Sequence, residues 1–135
     1  MNAQQKVAWF EVVVAVLALG AAFVAYPLLG EAAMGMFCLL GLLGLTPLFL
    51  RKRKDQIITD ERDHSISLKA TFLGVGAGWM ILFMSIVVLT AFVSFEDSAV
   101  PKNLLGAVLW VSFATSYAVK GGMSLMLYRS HQHAS

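Results

Sequence analysis

Two ionisable residues, Glu11 and Lys120, stand inside otherwise apolar runs of this chain. A lone charge at such a position costs about 3 kcal/mol or more unless it snorkels to the headgroups or finds a partner. These two are therefore where chemistry within a membrane could rest. A second concentration of polar groups, Asp60, Glu61, Arg62, Asp63 and His64, falls midway along the sequence. Asp60, Asp63 and His64 are ligand-type residues at helical spacing, but the further ligands of a structural metal site are missing. His131 and His133 read as a solvated tail, so no metal site and no cofactor is expected. There is no Ser-His-Asp arrangement, Gly-rich phosphate loop or HExxH, and no catalytic residue is assigned. Ser112, Ser116, Lys120 and Ser124 recur every four residues and lay a polar stripe on one helix face. Such hydroxyls either satisfy themselves in hydrogen bonds within the helices or line a hydrated path.

The elements that must carry these residues follow from composition. Hydrophobic residues make up 59% of 135 and charged ones 13%, with a mean hydropathy of +0.75. Soluble domains have roughly 45–50% apolar and about 25% charged residues. The excess reads as lipid-facing surface in a single membrane domain, 1–135. Four apolar runs, Val7–Leu29, Ala32–Leu50, Ala70–Phe95 and Leu104–Tyr128, reach or approach the roughly 20 residues that span a hydrocarbon core. They are continuous rather than alternating, which excludes a strand barrel. The expected fold is all-α, a polytopic four-helix bundle. The first run is too long for the apolar core of a signal peptide and is preceded by a single base, Lys6, so it is expected to stay as a span.

Orientation follows from the bases. Arg51, Lys52, Arg53, Lys54, Arg62 and Lys69 fall in the central loop, 51–69, while Lys6, Lys120 and Arg129 lie on the same side of the predicted path. The opposite connections hold Glu31, Glu96 and Asp97, with Lys102 as their base. Both termini and the central loop are therefore expected in the cytoplasm. Arg51–Lys54 would also meet anionic lipid headgroups. Thr59 or Asp60 suits a helix N-cap, and the acidic residues after it suit a first turn. The third helix is therefore expected to begin in the cytoplasm, ahead of its apolar part. Pro27 with Gly30-Glu31, and the stretch Ser94–Asn103, would form the two outer turns. Trp9, Tyr26 and Tyr128 are placed to anchor at the interfaces, and Trp79 and Trp110 to pack more deeply. Cys38 is the single cysteine, which excludes an internal disulfide. No basic face interleaved with aromatics points to nucleic acid.

Within the membrane, Ala70, Gly74 and Gly78 form a ridge of small residues at four-residue intervals. Such ridges allow close backbone approach, either inside the bundle or in a homodimer. Glu11 and Lys120 come to comparable depth on antiparallel helices. They are expected to meet, with Ser116 or Ser124 helping and Gly121-Gly122 permitting the approach.

The box Asp60-Glu61-Arg62-Asp63-His64-Ser65-Ile66, followed by Lys69-Ala70, resembles the D-E-R-x-x-x-I…K-A segment of a small prokaryotic membrane family, domain of unknown function 2178. Members resemble this chain in length, in four predicted helices and in carrying the box between the second and third. The resemblance implies a multi-pass protein of a bacterial or archaeal cytoplasmic membrane. Some members are encoded beside transcription regulators, which implies a regulatory role and transfers no catalytic residue. Glu11 is also similar in position to the membrane carboxylate of the small multidrug-resistance exporters. Those proteins lack a long charged central loop, and that resemblance stops at Glu11. The leading expectation is a non-enzymatic regulator or adaptor, a homodimer in the lipid bilayer, presenting the charged turn to a cytoplasmic protein. The alternative is a small ion or solute transporter or channel using Glu11 and the serine stripe.

Overall fold

The structure is a computed structural model that describes residues 3–49, 61–96 and 102–132. Every described element is helical: α1 (Ala3–Leu29), a 3₁₀ segment (Gly30–Leu45), α2 (Thr46–Phe49), α3 (Glu61–Glu96) and α4 (Lys102–Gln132). Three stretches, Ala3–Leu45, Glu61–Ala91 and Asn103–Ser130, are long and apolar enough to cross a membrane. Arg51–Lys54 and Asp60, with the residues around them, lie outside the described residues.

The first stretch folds back on itself. Val14 and Ala18 of α1 share one buried cluster with Phe37, Leu40 and Leu43 of the 3₁₀ segment. The reversal occurs at Gly30, whose φ of 56° is a left-handed conformation that only glycine adopts without strain. Pro27 was expected to end the first helix, yet α1 continues through it to Leu29. The next element departs further from expectation. In place of an α-helix over Ala32–Leu50 the chain forms sixteen residues of 3₁₀ helix, far longer than usual for this form. At about 2.0 Å per residue these extend roughly 32 Å, so the tighter coil covers a bilayer's depth with fewer residues. Side chains three apart eclipse in such a helix, and Phe37, Leu40 and Leu43 are buried at that interval.

Packing explains the size pattern. Ala8, Ala15, Ala18, Ala33, Ala70 and Ala114 are buried, whereas Phe23, Leu28, Phe72, Trp79, Met80 and Phe83 face outward. Buried alanines at the helix contacts and many large apolar side chains facing outward suit lipid, where close packing rather than apolar burial drives helices together. α1 lies between the 3₁₀ segment and α4, and α4 packs on α1 and α3. Trp110 of α4 stacks on Phe37 at 6.2 Å between ring centroids, which ties α4 to the 3₁₀ segment as well. α3 packs chiefly along α4, on the side of the cluster away from the 3₁₀ segment. At one end of the assembly the Asn103 amide donates to Glu31 Oε2 at 2.5 Å and joins the first turn to the start of α4.

Candidate functional site

The site forms where α4 crosses both α1 and α3. On α1 the buried positions Val7, Ala8, Glu11, Val14, Ala15 and Ala18 trace one face, the i, i+3/i+4 pattern of a packed stripe. Glu11 is part of that stripe. Against it lies Gly121: a Cβ there would stand 2.6 Å from Val12 Cγ2 and 2.7 Å from the Ala8 carbonyl oxygen. Gly122 has nothing within 4 Å, so only the first glycine of that pair provides the close approach expected of both.

This approach lets Lys120 reach Glu11. Lys120 Nζ donates to Glu11 Oε1 at 2.6 Å, with side-chain exposures of 28% and 4%. The carboxylate is shielded between helices, and the lysine side chain is partly exposed. The ammonium also lies 5.5 Å from the centroid of the Tyr117 ring. A charge-assisted bond is how a protein holds two ionised groups away from water at tolerable cost. The expected help from the serines is absent. Ser116 donates to the Ser112 carbonyl at 2.9 Å, Ser112 to the Val108 carbonyl at 2.8 Å, and Ser124 is buried without bonding the pair. Two of the three stripe hydroxyls thus bond their own helix.

The small-residue ridge is occupied by α4. A Cβ on Gly74 would stand 2.5 Å from the Ser116 carbonyl oxygen and 2.7 Å from Lys120 Cβ. One on Gly78 would overlap Ser116 Oγ, and Ala70 is fully buried. Of the two readings of the Ala70, Gly74 and Gly78 ridge, bundle packing and a dimer seam, the contacts of Gly74 and Gly78 with α4 fit the first.

At the other end of the α3–α4 contact the charged turn divides into two faces. Asp63, Ile66 and Ala70 are buried at i, i+3 and i+7, while Glu61, Arg62, His64 and Ser65 are exposed. The Tyr128 hydroxyl donates to Asp63 Oδ1 at 2.9 Å, which clasps the start of α3 to the end of α4. Tyr128 is buried, so it is a helix tie and not the interfacial anchor its position suggested. Nothing in sequence spacing marked this pair, because the residues lie 65 apart. Trp79, expected to pack deeply, is 67% exposed. It stands instead on the wall of an open groove of about 580 Å³ between α3 and α4, which Lys120 also lines. Among the described residues no group of three or more His, Cys, Asp and Glu could hold a metal ion.

A family model described as Predicted membrane protein (DUF2178) matches residues 4–127, nearly the whole chain. The chain belongs to this family. The match takes in Glu11, Lys120, the α3–α4 groove and the box that carried the resemblance in sequence. No curated protein and no solved structure matches the chain.

Proposed function

We propose that this DUF2178 protein is a non-enzymatic regulator or adaptor of a prokaryotic cytoplasmic membrane. It crosses the bilayer four times with both termini inside and acts as a homodimer. The face of Glu61, Arg62, His64 and Ser65 is its contact for a cytoplasmic protein partner. The observation that carries this reading is the division of the charged turn. One side is locked to α4 through Asp63 and Tyr128, which leaves the other exposed on a stiff support. α3 has 36 residues and is about 54 Å long at 1.5 Å per residue. That exceeds a hydrocarbon core of about 30 Å, so its charged start has length to stand clear of lipid. Four crossings accord with the reversal at Gly30 and with the Glu31–Asn103 bond joining the first turn to the start of α4. Crosslinking in native membranes, followed by capture, tests the contact. Reversing Glu61 and Arg62 together abolishes partner capture; capture that ignores the change overturns the reading.

The transporter reading has its own observation, the buried Glu11–Lys120 pair. A carboxylate already bonded to an ammonium, beside serines that bond their own backbone, gives less support to an open polar path. Proteoliposome flux abolished in Glu11→Gln, with partner capture intact, would select it.

A further inference from the structure

The groove between α3 and α4 is independent of the charged turn and opens beside the ammonium of Lys120. We propose that it is a binding site for a lipid quinone, an uncharged carbonyl-bearing ring on an apolar tail, with the ring at Lys120. Three features specify this ligand.

The first is charge. A lysine ammonium has three N–H donors and no acceptor; here one donor goes to Glu11, and the 28% exposed side chain lines the groove with its ammonium 5.5 Å from the Tyr117 ring centroid. Glu11 neutralises the charge from behind and is itself shielded. A charged headgroup would add an uncompensated charge within the membrane, whereas a carbonyl accepts a hydrogen bond and leaves the site neutral.

The second is the shape of the wall. Phe113 and Tyr117 lie 5.0 Å apart at 58°, and Trp110 meets Phe113 edge-on at 6.4 Å. With Trp79 opposite, these rings offer flat faces and edges of the kind that aromatic ligands stack against. The third is length. Lys120 and Leu109, both on the wall, are eleven positions apart on α4, about 16 Å at 1.5 Å per residue. That is about one leaflet of a 30 Å hydrocarbon core, so a tail leaving the ring runs along the groove in the direction of a leaflet's own chains. The volume falls within the usual range for small-molecule sites.

The test uses the full chain in phosphatidylcholine nanodiscs, titrated with a decyl-substituted benzoquinone and followed by tryptophan fluorescence. Decanoate, with a tail one carbon shorter and a charged head, is the comparison probe. Saturable quenching by the quinone is expected, with decanoate displacing it poorly. Glu11→Gln with Lys120→Met removes the donor and the charge together, and binding weakens by about tenfold. Val75→Phe narrows the ring end of the groove without touching the pair, weakens binding similarly, and decides the matter if the double variant does not fold. Quenching that rises linearly and equally in all variants is partition into lipid and overturns the proposal. Binding of decanoate as tight as the quinone overturns it as well.

Discussion

Lys120 donates a 2.6 Å hydrogen bond to Glu11 across 109 residues of sequence, at the crossing where Gly121 lets α4 come down onto α1. The ion pair and the glycine contact support each other. Without the close approach the ammonium would not reach the carboxylate, and without the bond two charges would stand among apolar side chains.

A double-mutant cycle measures this dependence. Breaking a buried pair from one side is expected to cost about 3–5 kcal/mol, because the remaining charge is left uncompensated. Glu11→Gln and Lys120→Met should each destabilise the detergent-solubilised protein by that order, and the double variant by clearly less than their sum. Additive effects would mean that each side chain is satisfied separately.

The glycine substitutions divide by position. Gly74→Leu drives a side chain into the α4 backbone and Gly78→Leu drives one into the Ser116 side chain and the Ser112 carbonyl; both should abolish the folded monomer, as judged by gel filtration and thermal unfolding. Gly76→Leu and Gly122→Leu meet open space and should leave it folded. A folded Gly74→Leu monomer that merely fails to dimerise would restore the ridge to an interface between copies.

Tyr128→Phe removes the donor to the buried Asp63 carboxylate. Leaving a buried acceptor short of a partner costs about 1–3 kcal/mol. The loss should appear as faster amide hydrogen exchange over residues 61–66, with little change in the middle of α1. Unchanged exchange there would mean that the clasp does not hold the turn.

Topology is read by cysteine labelling in a Cys38→Ala background. Cysteines at Gln56 and Gln132 should react with an impermeant reagent only from the cytoplasmic side, and one at Ser98 only from outside. Labelling of Gln56 from outside reverses the orientation and removes the cytoplasmic partner with it.

The sequence by itself determined the helical membrane character, since continuous apolar runs of bilayer length leave few other folds, and the family match agrees. It also placed Glu11 and Lys120 level with each other on antiparallel helices, because level is a count of residues along a helix, and the pair meets. What it left open was rotation about each helix axis. These helices are apolar nearly all round, so periodicity does not mark which side faces a neighbour and which faces lipid. Tertiary packing therefore decided that Asp63 turns inward to Tyr128, that Gly74 and Gly78 face α4, and that Trp79 lines a groove. It likewise decided the 3₁₀ form of Gly30–Leu45, where a run of apolar residues allows either coil and packing of Phe37, Leu40 and Leu43 at three-residue intervals selects the tighter one.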